Sequence, residues 1–217
     1  LKRMQRLIDH LSVLTDLDAG SNRWKMRSVL VCQQLKDWHH QLPEVSRARV
    51  AFHLSDEVGG SYISVDPEAL NLVLNNILDN ALRYSSPDLG VVVLFAAQDG
   101  CLRICVADWG VGIPETKKES VFDQFHRLEE HRDPSRADGA GLGLAVCRGV
   151  LGVMNGQITL LPSSSEGSLE GEPKTVMMVL LPLLKIKKQD DLPELDPSIL
   201  LIDEARSDGC MRVLNYV

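Results

Sequence analysis

The chain has 217 residues, 44% hydrophobic and 24% charged, an ordinary globular composition with enough apolar residues for one good-sized core plus appendages. Its formal net charge of -7 argues against general nucleic-acid binding, which needs a basic face. No apolar run reaches the length of a membrane span and no signal peptide opens the sequence, so a soluble, cytoplasmic protein without direct membrane contact is expected.

The first residue is Leu1, so a fragment is expected, with any sensor or membrane-anchored part upstream. Met4, Leu7, Leu11 and Leu14 then alternate spacings of three and four, the pattern of a helical bundle seam over residues 1–18. So short a helix cannot bury that seam alone, and it is expected to pack on another helix, either a missing hairpin partner or one from a second chain, and to dock poorly if neither is present. Ala19-Gly20-Ser21-Asn22 ends it. A helix over 29–41 and an alternating strand over 49–54 follow. Asp66-Pro67-Glu68 starts a helix with an Asp cap and Pro at the first helical position, running to about residue 84. Strands over 90–97 and 101–107 are joined by a Gln98-Asp99-Gly100 turn. Residues 113–138 are polar and weakly periodic and read as a long functional loop with one short helix around 121–128. Gly139 to Gly143 open another helix that ends near Asn155-Gly156, and strands over 157–161 and 175–181 flank a Ser/Gly/Glu-rich loop. Helices and antiparallel strands intermix, which predicts an α/β two-layer sandwich. Cys32, Cys101, Cys105, Cys147 and Cys210 form no CxxC pair and read as reduced thiols.

Three places carry chemistry. Leu102, Ile104 and Val106 share one strand face, and Asp108 continues that parity, so its carboxylate is directed inward and needs a hydrogen-bond donor, which a ligand could supply. Gly110 and Gly112 follow it and would let a ligand approach the backbone; a plain Asp-started turn is the alternative. On the helix after Pro67, Asn76, Asn80 and Arg83 project within roughly 60° of one another, a site for hydrated Mg²⁺ and phosphate oxygens or, alone, a solvated polar face. Gly139-Ala140-Gly141-Leu142-Gly143 leads into a helix, where flexible backbone and free N–H groups favour phosphate, with a glycine hinge as the alternative.

In order, NNILDNALRYS, VADWGVGIP, VFDQFHRL and GAGLGLAVCRGVLGVMNGQI resemble the N, G1, F and G2 boxes of the catalytic ATP-binding domain of sensor histidine kinases, within the ATPase superfamily that includes gyrase, mismatch-repair ATPases and heat-shock chaperones. The resemblance covers residues 21–185. It implies a mixed sheet with helices on one face and a Bergerat-type site for ATP and Mg²⁺. It places Asp108 as the acceptor of the adenine amine, with Gly110 and Gly112 giving the nucleotide room. Asn80 corresponds to the Mg²⁺ ligand and Asn76 to its N-box companion. Arg83 and Tyr84 would line phosphate and base, and Gly139, Gly141, Leu142 and Gly143 would border the phosphates. Thr175 falls near adenine, although Lys174 stands where a glycine is usual. Arg127, Arg132 and Arg136 would meet phosphates from the loop, or be solvated charge. Hydrolysing members carry a glutamate where this chain has Asn76, and an amide is a poor general base, so the γ-phosphoryl group is expected to go to another nucleophile, with Asn76 and Arg83 contributing to catalysis.

RLIDHLSVLTDLDAG resembles the second helix of a dimerisation hairpin, giving residues 1–20 that assignment. None of the six histidines is followed by an acidic residue in the manner of a phosphoacceptor; His10 precedes Leu11 and reads as a bundle or surface residue. Residues 186–197 read as a linker, and SILLIDEARSDGCMRVLNYV over 198–217 resembles the start of a receiver domain, with Asp203 and Glu204 as its acidic pair. The implied partners are a phosphoacceptor hairpin of the same or a second chain and a receiver domain or response regulator, in a homodimeric full-length hybrid kinase. A degenerate kinase acting as a binding module is the alternative, and a hydrolysing ATPase is disfavoured by Asn76.

Overall fold

The computed structural model describes residues 2–20, 23–85, 88–127, 140–161 and 172–184. Six α-helices are formed among them: α1 (Lys2–Asp18), α2 (Val31–Gln41), α3 (Glu44–Arg47), α4 (Asp56–Gly59), α5 (Pro67–Tyr84) and α6 (Gly143–Val153). Seven strands accompany them: β1 (Arg27–Leu30), β2 (Val50–Leu54), β3 (Tyr62–Val65), β4 (Val91–Gln98), β5 (Cys101–Asp108), β6 (Gln157–Leu160) and β7 (Thr175–Leu184). The strands make one mixed sheet in the order β1-β3-β7-β5-β4-β2, with β6 also on β7. β2 runs parallel to β4 and the other pairings are antiparallel.

Side-chain alternation sorts the sheet into two faces. On β5, Leu102, Ile104 and Val106 enter the main core together with Leu70, Val73, Leu74 and Ile77 of α5 and Val146, Val150 and Leu151 of α6. The opposite parity forms a smaller cluster of Ala51, Val92, Leu94, Cys105, Ala107 and Val176, against which Trp109, Leu161 and Met178 pack. The α/β two-layer sandwich is the observed architecture.

Helix α5 begins where its cap dictates: Asp66 Oδ1 accepts from the N–H groups of Glu68 and Ala69 at 3.0 and 3.2 Å, satisfying donors that a helix start leaves unpaired. Asp66 Oδ2 also accepts from Lys25 N at 2.7 Å, tying the chain before β1 to this helix. Helix α2 locks onto α5 through Gln34 Nε2 to Asn71 Oδ1 and Trp38 Nε1 to Asn75 Oδ1, both 2.8 Å. Of the paired asparagines, Asn75 therefore serves the fold, and its neighbour is left for the site.

The structure departs from the sequence expectations at several points. Strands β1 and β3 were not expected, and α2 starts at Val31, because residues 27–30 pair with β3 instead of continuing the helix. The expected short helix around 121–128 is a single 3₁₀ turn, Ser120–Phe122. β7 is longer than expected because its far end pairs with β3 through Tyr62 and Ile63. Helix α1 does not dock poorly: Val13 and Leu14 are buried and Leu7 and Leu17 pack on the core, while Met4 and Leu11 of the expected seam stay exposed with Ile8. His10 is not at the surface either; it is 6% exposed. Among the described residues Cys32, Cys105 and Cys147 are buried free thiols, whereas Cys101 is half-buried. The linker and receiver-like segments, residues 186–217, lie outside the described residues, as do Gly139, Arg132 and Arg136.

Candidate functional site

A cavity of about 630 Å³ opens between the C-terminal half of α5, the end of β5 and the start of α6, within the usual range for small-molecule sites. Asn76, Asn80, Arg83, Tyr84, Asp108, Gly112, Arg127, Gly141, Leu142, Gly143 and Thr175, all singled out from the sequence, line it. Gly110 does not.

Asp108 closes β5, opposite Thr175 at the start of β7. Its parity holds to the end of the strand, so the carboxylate is 5% exposed. Burial raises its pKa to about 6, against hydrogen bonds from Gly110 N–H and the Thr175 side chain that favour the charged form. The Gly110 N–H bond to Oδ1 is 2.9 Å. A carboxylate in this setting needs a further donor to remain charged at low cost. Lys174 leaves the turn intact: its N–H donates to Asp108 O at 2.8 Å.

The two glycines after Asp108 differ in role. A Cβ on Gly110 would lie 2.2 Å from Tyr84 O and 2.6 Å from Tyr84 C, so the space there belongs to the end of α5 and not to a ligand, contrary to the sequence expectation. This contact fixes the strand end against the helix that carries Asn80 and Arg83. Gly112, with φ of +76°, faces the cavity, and a Cβ there would touch Lys174 without clashing.

At the other end, α6 begins at Gly143 with Leu142 at its N-cap and no side-chain cap, leaving helix N–H groups for an anion. Asn76 is 8% exposed. Its Oδ1 would be 3.5 Å from a Cβ on Gly143, so the glycine lets the asparagine lie against the helix start. Asn80 and Arg83 are half-buried on the next turn of α5. The segment after the Ser120–Phe122 turn is anchored by Phe122, 3% exposed, and by Arg148 Nη2 donating to Phe122 O at 3.0 Å. It brings His126 and Arg127 to the cavity rim, with His126 Nε2 3.2 Å from Ser120 Oγ.

Sequence reasoning missed part of the wall: Arg6, Leu7 and His10 of α1, and Val45, Ser46 and Arg49 around α3. No motif marks them, since they arrive by tertiary docking. Among the described residues no cluster of three or more His, Cys, Asp or Glu side chains forms, and no helix is long and apolar enough to cross a membrane.

Comparison with known proteins agrees with this geometry. Residues 65–185 match the family described as histidine kinase-, DNA gyrase B- and HSP90-like ATPase. The chain is 28% identical over 196 residues to the sensor histidine kinase WalK of Bacillus subtilis, covering 89% of this chain and 30% of that protein. It is 34% identical over 128 residues to the adaptive-response sensory kinase SasA of a Synechococcus species, covering 58% of this chain and 33% of that protein. The chain thus spans about a third of the length of these curated relatives. Among solved structures, the mycobacterial sensor histidine kinase MprB matches with a TM-score of 0.57 at 23% identity, over 75% of this chain and 100% of that one. The catalytic domain of the histidine kinase ThkA matches with a TM-score of 0.58 at 19% identity, over 73% and 95%. With the motifs in order around one cavity and more than half of the chain matched, the chain belongs to the histidine kinase-, DNA gyrase B- and HSP90-like ATPase family.

Proposed function

We propose that this cavity holds Mg·ATP and presents its γ-phosphoryl group to a histidine on a helical hairpin outside the described chain. The observation that carries the reading is a single cavity lined by a buried carboxylate, Asp108, by Asn80, and by an uncapped helix start that lies against Asn76. Asp108 would accept from the adenine amine, with the Thr175 side chain holding its carboxylate. Gly112 and Tyr84 would border the base. Leu142, Gly143 and the residues before them would cradle the phosphates through backbone N–H groups, with Arg83 and Arg127 at their edge.

The residues fit a magnesium ion held mostly by phosphate and water. Asn80 offers one carboxamide oxygen, and Mg²⁺ keeps several waters and uses few protein ligands. The ion would supply charge neutralisation at the phosphates; Asn80 would fix where that charge sits. Asn76 stands one turn earlier and cannot take a proton from water as a carboxylate could, which leaves positioning and charge neutralisation as the chemistry of the site. The partners in this reading are the hairpin of the same or a second chain, a receiver or response regulator that takes the phosphoryl group on, and a second kinase subunit.

Asn80→Ala tests the metal assignment. ATP affinity measured by calorimetry should fall more in Mg²⁺ than in EDTA, because the lost contact acts through the metal. An equal loss in both conditions removes Asn80 from that role.

A further inference from the structure

Helix α1 lies outside residues 65–185 that match the ATPase family, yet it forms one wall of the cavity through Arg6, Leu7 and His10. Its docking is specific. Val13 and Leu14 are buried, and Leu17 lies over Gly149 of α6, where a Cβ would be 2.5 Å from Leu17 Cδ1. α1 thus docks in the register in which the Leu17 side chain fills the space that Gly149 leaves.

That register aligns two polar contacts one helical turn apart. Arg6 Nη2 lies 2.9 Å from Asp79 Oδ2, on the residue that precedes Asn80. His10, four residues on, is buried beside Asn76, and a hydrogen bond between the imidazole and the Asn76 carboxamide favours the protonated ring, although burial first and Arg6 second lower its pKa. A neutral imidazole still carries one N–H for the carboxamide oxygen. Asn76 Nδ2 is fully buried without a hydrogen bond of good geometry among the described residues, and the Asn76 side chain also meets the buried Cys147 thiol of α6, a weak partner, so the carboxamide lies between α1 and α6.

We propose that docked α1 is part of the nucleotide site: Arg6 is a binding residue for the polyphosphate end, and His10 is a positioning residue that holds the Asn76 carboxamide against the start of α6, where the phosphates would sit. This rests on the ATP reading given above. The Arg6–Asp79 pair is about half exposed on both sides, and such pairs contribute little, so the guanidinium is readily shared with a phosphate, for which its fork geometry is suited. Nucleoside polyphosphates are the ligand class, and α1 stays docked when they bind.

The test is calorimetric titration of the whole chain with ATP and, separately, with adenosine, which has the base without the phosphates. Wild type must bind ATP; if it does not, the ATP reading itself fails, before any variant is compared. Arg6→Ala should bind ATP roughly tenfold more weakly with adenosine affinity unchanged. His10→Ala should lose several-fold for ATP only, and His10→Gln, which keeps an N–H donor, should recover most of that loss. Ile8→Ala, on the exposed face of α1, should match wild type. ATP affinity unchanged in both Arg6→Ala and His10→Ala overturns the proposal, as does an equal loss for ATP and adenosine, which would make α1 a structural prop. Should His10→Ala not fold, the His10→Gln and Arg6→Ala titrations decide the question.

Discussion

Asp108 is 5% exposed, with its pKa raised to about 6 chiefly by burial, so the same group that would bind the base opposes folding at neutral pH. A carboxyl that holds its proton more tightly in the folded state than in the unfolded one stabilises the fold at low pH. That contribution is fully present below the unfolded value near 4 and is lost as pH rises through about 6. Above that window the folded protein carries a buried charge at a cost on the order of 3 kcal/mol. An amide at the same place keeps the Gly110 N–H bond and never ionises. Asp108→Asn is therefore expected to raise the melting temperature of the ligand-free protein at pH 8, with the gain shrinking to nothing near pH 4. At pH 8 the same substitution should weaken ATP binding by about 1.5 to 3 kcal/mol, since a charged acceptor is worth that much in a buried bond. Thermal melts across pH and calorimetry with ATP read the two effects separately. A mutant that melts at the wild-type temperature at pH 8 would show that Asp108 is solvated enough to ionise freely, and unchanged ATP affinity would take it out of the base-binding role.

Between residue and fold lies the segment from Ser120 to Arg127, which is held at its start by Phe122 and Arg148 and at its end by Gly141. At φ of +71°, a Cβ on Gly141 would lie 2.6 Å from His126 O and 2.8 Å from Phe125 C; both are backbone atoms that cannot step aside as a side chain does. Gly141→Ala should thus push residues 125–127 away from the start of α6, adding to the cost of an L-residue in the left-handed region. Amide exchange over 123–127 should accelerate and ATP affinity should fall several-fold, with α5 exchange unchanged. Unaltered exchange in that segment would show that it does not rest on Gly141. At this scale the sequence was legible where one element carries its own signal. Asp66-Pro67 marks α5, the parity of β5 carries Asp108 inward, and the glycines mark the approach to α6. β1 and β3 gave no such sign, because four residues at the sheet margin are too short for alternation to stand out, and α2 starts at Val31 after an N-cap residue, Leu30, that makes no side-chain cap. Gly110 was misread for a physical reason: the sequence shows that a side chain is missing, but not which neighbour takes its space. His10 was misread likewise, since a lone histidine in a helical seam carries no mark of the asparagine it meets 66 positions away in the chain.

For the molecule as a whole, the question is where the γ-phosphoryl group goes when this chain is given ATP alone. Three observations bear on it. His10 is buried and faces Asn76, so it is not free to move in line with a phosphoryl donor. In the proposed reading the position that would activate water is an amide, Asn76. α1 keeps Met4, Ile8 and Leu11 exposed on the face away from the domain, an apolar stripe suited to a further helix, which is where a hairpin partner carrying the acceptor would pack in the proposed reading. With no acceptor supplied and, in the proposed reading, an amide at the position that would serve as base, both routes lack a part. The chain should bind ATP, remain unlabelled by γ-labelled ATP, and release phosphate at only a trace rate. Addition of a helical hairpin that carries an acceptor histidine from a related sensor kinase should then produce an acid-labile, base-stable label on the hairpin and none on this chain. Label on His10 would mean that α1 undocks and serves as the acceptor. Steady phosphate release abolished by Asn76→Ala would mean that the amide supports hydrolysis after all. ATP binding without transfer to any hairpin, including that of its own full-length chain, would turn the reading toward a domain that signals by occupancy and docking instead of by phosphoryl transfer.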